Sequence, residues 1–443
     1  MRRTVRSRPS ETRPLPARVD DGTSTSGERR DWKKGRARSP VQPGRWLGRL
    51  AGIGVMVIGS CAEGDAPSID ARLQLAEAMA TDAEGYARAL EPRTFVFPRD
   101  HGPHPAFATE WWYFTGNLRA ANGDRFGYEL TFFRKALTPS PVDRSSGLAA
   151  HEAYMAHFAV TDVAGAAFHA FDRFGRAAAG LAGARTAPFR VWLYDWSVAS
   201  LGENMAEDPV DTTFPARVRA AVGAVAIDLM IEAGKPPVTH GEDGLSRKGS
   251  EPGNASFYYS LTRMPTRGTL RIGDATAEVH GQSWLDREWS TSALSDDLAG
   301  WDWFALRLDD GTELMLYRLR TLAGGTSPFS GGTFVGSDSG SRTFGTDDFT
   351  IDVLETWRSP RSGTSYPSRW RVRVSSEAMD LEVTPLLADQ ELDLAVRYWE
   401  GAVDVRGTRG GEPVRGEGYV ELTGYSERSA TSGSTRDALR AGR

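Results

Sequence analysis

The chain has 443 residues, 40% apolar and 25% charged, with 48 Gly, 24 Pro, 13 Trp and a single Cys. That composition is globular and excludes a collagen, a coiled coil or a wholly disordered chain, while one cysteine excludes an internal disulfide framework and any Cys-based zinc or iron–sulfur site. The net charge of −5 divides into +9 over residues 1–49 and −14 over the rest, so the acidic body argues against nucleic acid as a partner, because phosphate binding needs clustered cations.

Residues 1–44 are rich in Arg, Pro, Ser and Gly and lack periodic apolar residues, the composition of a disordered basic leader. Over 45–61, Arg45 and Arg49 precede an apolar run from Leu50 to Ile58 that ends at Gly59-Ser60-Cys61. A basic region, a short apolar core and small residues before a cut site make a secretory signal; with the chain's one cysteine after the cut, the pattern resembles a bacterial lipoprotein signal. That resemblance implies export to the cell envelope, on the periplasmic or extracellular face, and a membrane anchor through a lipid on Cys61. Residues 62–92 read as a tether that could carry a short helix near 68–80. No apolar run reaches the ~20 residues that a spanning helix requires.

From Phe95 onward, short alternating segments are broken by Gly, Asn and Asp turns, which predicts an all-β body. Trp111-Trp-Tyr-Phe-Thr-Gly-Asn-Leu118 resembles Trp301-Asp-Trp-Phe-Ala-Leu-Arg-Leu308, and each runs through a turn into a second strand. One hairpin used twice predicts two related domains, at 93–285 and 286–426. Antiparallel sheets of this size protect their edges by closing into barrels, whose interior can hold a small apolar ligand; the alternative is two sandwiches with solid cores. Gly234–Asn254 reads either as a rim loop over a barrel mouth or as a plain connection, Gly324–Ser341 as a long loop, and 427–443 as a frayed tail.

Carboxylates recur beside tryptophan: Glu110 before Trp111 and Trp112, Asp286 and Glu288 between Trp284 and Trp289, and Asp302 between Trp301 and Trp303. In an extended segment, period-2 geometry puts Trp284, Asp286 and Glu288 on one face and Leu285, Arg287 and Trp289 on the other. Two acids beside an indole raise at least one pKa, and a protonated acid in an apolar pocket can protonate an alkene, with aromatic faces stabilising the cation. Equally, such carboxylates can serve as hydrogen-bond acceptors or arginine partners. His101, His104, His151 and His157 could ligate a metal or be structural, and no metal is predicted from them. No Walker loop, dinucleotide-binding glycine pattern or nucleophile elbow is present in the sequence, so no cofactor is predicted.

Several segments together resemble one family: Phe97-Pro-Arg-Asp-His-Gly-Pro-His104, Thr109-Glu-Trp-Trp-Tyr-Phe-Thr-Gly116, Lys235-Pro-Pro, Gly253-Asn-Ala-Ser-Phe-Tyr-Tyr259, Ser283-Trp-Leu-Asp-Arg-Glu-Trp-Ser290, Trp301-Asp-Trp-Phe and Arg397-Tyr-Trp-Glu-Gly401. They are similar to the lipocalin-like proteins grouped with carotenoid 1,2-hydratase (the hydroxyneurosporene synthase type), a group that includes AttH-type envelope proteins found beside ABC-exporter permeases. The resemblance implies two tandem lipocalin-like (calycin) antiparallel β-barrels and a hydrophobic ligand, a lipid or polyene. It implies an envelope lipoprotein that binds this ligand in association with an ABC transporter permease. The alternative is a cofactor-independent hydro-lyase or isomerase of an unsaturated hydrocarbon. On this reading Glu110, Trp111, Trp112, Trp284, Trp289, Trp301 and Trp303 line the ligand sites, and Asp286, Glu288 and Tyr317 are the catalytic candidates. In the hydratase branch an Asp-His pair is expected where Asp286-Arg287 stands, and an Asp beside Tyr where Tyr317-Arg318-Leu319 stands. Those departures lean the chain toward the envelope branch.

Overall fold

Alternating apolar and polar residues between turn-forming pairs produce an almost wholly antiparallel β molecule. The computed structural model describes residues 84–139, 150–202, 211, 213–291, 294–295 and 297–425. The basic leader, the Cys61 signal, the helix considered near 68–80 and the tail 427–443 lie outside the described residues. The first sheet is built from β1 (Thr109–Ala120), β2 (Arg125–Ala136), β3 (Glu152–Asp162), β4 (Ala167–Arg176), β5 (Ala182–Arg185), β6 (Arg190–Leu193), β7 (Trp196–Ser200), β8 (Ala216–Val222), β9 (Val225–Ile231), β10 (Val238–Thr239), β11 (Leu245–Arg247), β12 (Ala255–Ile272) and β13 (Ala275–Ser290). The second takes β14 (Leu298–Leu308), β15 (Glu313–Thr321), β16 (Gly331–Val335), β17 (Ser341–Gly345), β18 (Phe349–Arg358), β19 (Ser365–Val374), β20 (Met379–Pro385), β21 (Glu391–Asp393), β22 (Arg397–Arg409) and β23 (Glu412–Leu422).

Strand order in the first sheet is β4-β3-β2-β1-β13-β12-β9-β8-β7-β6-β5, and in the second β17-β16-β15-β14-β23-β22-β20-β19-β18. Both sheets therefore place their first hairpin against their last strand, as expected of a duplicated unit. Each sheet curls until strands near its two ends approach through side chains. The Tyr194 hydroxyl, in the turn after β6, donates to the Phe174 carbonyl on β4 at 3.0 Å, and Arg318 on β15 donates to the Ile351 carbonyl on β18 at 2.9 Å. The result is two near-closed lipocalin-like barrels.

Period-2 geometry sends alternate residues of β1 and β14 to opposite sides. Trp112, Phe114 and Leu118 enter the first core together with Leu285 and Trp289, and Phe304, Leu306 and Leu308 enter the second. These residues are fully buried aromatic and aliphatic groups worth ~2–3 kcal/mol each, and they fill the barrel interiors. The opposite faces of the same strands pack the barrels on each other, with Tyr113, Tyr258, Trp284, Trp303 and Tyr419 in one shared cluster. The approach is close at β2, where a Cβ on Gly127 would come within 2.5 Å of the Ala402 methyl.

Two expected boundaries move. Strand β13 stays in the first sheet through Ser290 and pairs with β1 and β12 along its length, so the change of sheet falls between 291 and 297 and not at 285/286. The stretch Gly324–Ser341, expected as a loop, is interrupted by β16, which pairs with β15 and β17; Gly331 and Gly332 within it sit against the Phe344 carbonyl, the Tyr317 ring and the Leu316 side chain, so these two glycines mark close packing.

Candidate functional site

The cavity of interest lies between the barrels. It measures about 130 Å³, the scale of a cavity that accepts an aromatic ring. Trp111, Tyr113 and Phe133 reach it from the first hairpin, Trp301, Trp303 and Tyr317 from its copy, and Asp286, Glu288, Lys248, Tyr258 and Glu421 supply the polar groups. The expectation of a ligand inside a barrel is thus corrected: each lumen is occupied by its own side chains, and the open space is bounded by the outer faces of the two sheets.

Asp286 sits on β13 opposite Tyr113 of β1 and Ser260 of β12. It accepts hydrogen bonds from the hydroxyls of Tyr258 and Ser260 and from the Trp284 indole at 2.6 Å. Burial pushes its carboxyl up to about 6 against those three donors, with Glu288 adding to the rise. The Glu288 carboxylate lies 3.3 Å from the Lys248 ammonium, which also rests 4.6 Å from the centre of the Tyr317 ring. From the second barrel, Glu421 on β23 accepts from the Trp301 indole. Burial pushes Glu421 up to about 8, opposed by that indole and reinforced by the charges of Glu129, Asp286 and Glu288. Beside the Lys248-paired Glu288, the cavity therefore presents two carboxyls raised to different extents, Asp286 and Glu421, within a shell of six aromatic side chains from the two hairpins and Tyr258.

Of the residues singled out in the sequence, Trp111, Trp301, Trp303, Asp286, Glu288 and Tyr317 line this cavity. Trp284 is buried behind it, edge-on to Trp303 with ring centroids 6.4 Å apart. Glu110, Trp112 and Trp289 do not reach it, and their proposed ligand role is corrected: the pleat turns them to the inner face of the first barrel. There Glu110 pairs with Arg287 and with Arg134, the Arg287 guanidinium lies 3.9 Å over Trp112, and His104 stacks on Trp289 at 3.7 Å. Burial opposes ionisation of Glu110, but Arg287, His104 and Arg134 outweigh it and hold the carboxyl well below the ordinary range. Among the described residues, no group of three His, Cys, Asp or Glu side chains is arranged to hold a metal ion; His101 bonds Tyr259 and Asp211, and His157 bonds Tyr398.

A model of the AttH-like family matches residues 88–425. The chain belongs to the AttH-like family. A Nitrosomonas europaea protein described as an AttH is similar at 32% identity with a TM-score of 0.68, the match covering 77% of this chain and all of that one. The fold is also similar to that of kievitone hydratase from Nectria haematococca, at 16% identity and a TM-score of 0.57, covering 76% of this chain and 98% of the hydratase. No curated protein matches the sequence.

In this AttH-like chain the departure at Arg287 faces away from the cavity, into the Glu110 network of the first barrel, and reaches the cavity residue Trp111 only through its backbone carbonyl. Likewise Arg318 turns from Tyr317 to Asp302. Sequence reasoning missed Lys248, Tyr258 and Glu421. Lys248 lies in the Gly/Pro-dense stretch 234–254, Tyr258 in an alternating aromatic strand, and Glu421 between apolar neighbours. An acid at an alternating position in a strand buried on both faces was the available signal.

Proposed function

We propose that the protein binds a small, largely apolar, unsaturated molecule between its barrels and adds water across, or removes water from, a carbon–carbon double bond. The observation that carries this reading is the pair of carboxyls held in different protonation states in one aromatic cavity, Glu421 up to about 8 and Asp286 up to about 6; environments that push two acids apart separate the acid from the base. Glu421 donates its proton to one alkene carbon, and the cation that forms on the other is stabilised by the faces of Trp111, Trp301 and Trp303. Water then adds its oxygen to the cation and passes a proton to the Asp286 carboxylate. Exchange with solvent returns both carboxyls to their starting states. The Lys248–Glu288 pair orients a polar end of the substrate or the attacking water.

Incubation with a panel of aryl- and alkyl-substituted alkenes in ¹⁸O-water, read by mass spectrometry, tests the reaction. Asp286→Asn should lower label incorporation by roughly 10²–10⁴-fold with ligand affinity unchanged; full turnover in that variant would remove the assignment. One observation favours a second reading: both Asp286 oxygens are occupied by donors, which suits a cavity that holds its ligand without reaction. An apolar molecule recovered by organic extraction, with no labelled product from it, would select that carrier.

Export, lipid attachment at Cys61 and service to an ABC-exporter permease form part of the same proposal. They are supported by the order of basic, apolar and small residues over 45–61 and by the family resemblance. Cys61→Ser should shift the protein from membrane to soluble fractions, and unchanged membrane association would refute the anchor.

A further inference from the structure

Behind the cavity, the contact between the barrels buries two further carboxyls. Glu400 on β22 stands directly opposite Glu421 on β23 and accepts a hydrogen bond from the hydroxyl of Tyr113, a residue that also lines the cavity. Glu129 on β2 lies 3.5 Å from the Tyr398 hydroxyl, which is 2.7 Å from Nδ1 of His157. Glu129, Glu400 and His157 are all inaccessible to solvent. Oε2 of Glu400 and Nε2 of His157, both buried, have no hydrogen-bond partner among the described residues. No Lys or Arg is among the principal groups acting on Glu129, Glu400 or Glu421, whose neighbours are other acids and uncharged donors: Tyr113, Tyr398, Thr131 and the Trp301 indole. An orphaned carboxyl oxygen in such a place is expensive unless it carries a proton.

We infer that Glu400 is a proton store for the cavity, delivering through the Tyr113 hydroxyl and sharing its proton with Glu129 by way of Tyr398. In delivery, the O–H bond on Glu400 breaks as a new one forms on the Tyr113 oxygen, while the proton of Tyr113 passes to an acceptor in the cavity, water or the spent Glu421 carboxylate. Glu400 is left as a carboxylate accepting from the Tyr113 phenol; in the loaded store Glu400 donates along the same contact and the Tyr113 hydroxyl turns its proton to the cavity. A proton taken back from solvent along the same path restores the start. Burial supports this assignment by raising both Glu400 and Glu129, while Glu129 and Glu421 further raise Glu400. Burial also holds His157 down to about 3, so it stays neutral.

The inference deepens the proposed reaction, since it supplies that reaction's acid, but its test needs no substrate. Infrared spectroscopy of the full-length protein near neutral pH should show the carbonyl stretch of protonated carboxylic acids, and Glu400→Gln should remove part of that band. On transfer to heavy water the band should shift as the store exchanges through the cavity, and Tyr113→Phe, which keeps the ring and removes the hydroxyl, should slow that exchange about tenfold. A band unchanged in Glu400→Gln, or Tyr113→Phe exchanging at the wild-type rate, would overturn the store. Failure of alkene turnover with these infrared results intact would overturn the reaction and leave the store standing.

Discussion

Glu421→Gln makes stability depend less on pH, because the native state holds a proton on this residue that the unfolded chain releases. The carboxyl moves from the usual 4.5 up to about 8 on folding. Below about pH 4.5 both states are protonated and the group costs the fold nothing. As pH rises toward 8 the unfolded chain gains the free energy of ionising while the native state does not, so stability falls by about 1.4 kcal/mol per pH unit. Between about pH 5 and pH 8 that amounts to about 4 kcal/mol from a residue whose side chain is almost wholly buried. Glutamine has no proton to hold. The variant should match the wild type near pH 5, apart from about 1 kcal/mol for the altered Trp301 hydrogen bond, and exceed it by about 3–4 kcal/mol near pH 8. Other acids titrate in both proteins and cancel in the difference, except Glu400, which Glu421 helps to raise as it ionises and which shifts the result in the same direction. Urea unfolding followed by tryptophan fluorescence at the two pH values gives the comparison directly. Stability curves that run parallel across the window would refute the claim that Glu421 is neutral in the native protein.

Two other substitutions separate the cavity from the framework around it. Arg287→Gln leaves the Glu110 carboxylate buried with one guanidinium fewer and should cost about 3–5 kcal/mol in urea unfolding, while cavity ligand affinity in the folded fraction stays at the wild-type value; a changed affinity with unchanged stability would put Arg287 at the cavity after all. Lys248→Met strips Glu288 of its cation and should cost about 2 kcal/mol, most of it regained in the double variant with Glu288→Gln. A double variant no more stable than Lys248→Met alone would mean that the two residues do not act as a pair.

The all-β class and the repeated hairpin were legible because alternation and turn chemistry are local. Trp111–Leu118 and Trp301–Leu308 show the same order of side chains before any tertiary contact is known. The grouping of Trp284, Asp286 and Glu288 on one face followed from the pleat alone, and the structure places all three on the side facing the second barrel. What the pleat does not encode is which face meets a lumen and which meets another sheet. On β1, Trp112 and Phe114 are as apolar as Trp111 and Tyr113, so a strand buried on both faces has no polar side to orient it. That is why Glu110, Trp112 and Trp289 were grouped with the cavity residues. Lys248 and Glu400 were hidden for a related reason: the meaning of each depends on a carboxyl or phenol brought to it from another strand.

The duplication also explains how one cavity comes to hold two acids of unlike strength. Trp303 corresponds to Tyr113 in the repeated hairpin, and the residue opposite each on the neighbouring strand is a carboxyl, Glu421 in one copy and Asp286 in the other. One strand further on, the partner of Asp286 is Ser260 and the partner of Glu421 is Glu400. In the first copy the neighbour is a hydroxyl that donates to the carboxylate and stabilises its charge; in the second it is another acid. Burial raises both carboxyls; three donors, Ser260 among them, oppose it at Asp286, whereas at Glu421 only the Trp301 indole opposes it and the charges of Glu129, Asp286 and Glu288 add to the rise. Ser260→Ala removes that donor from Asp286 and should move its titration up from about 6 toward that of Glu421, narrowing the gap between base and acid. Carbon-13 NMR of labelled aspartate would follow the midpoint, and no upward movement on loss of the hydroxyl would mean that the neighbour on β12 does not set the difference.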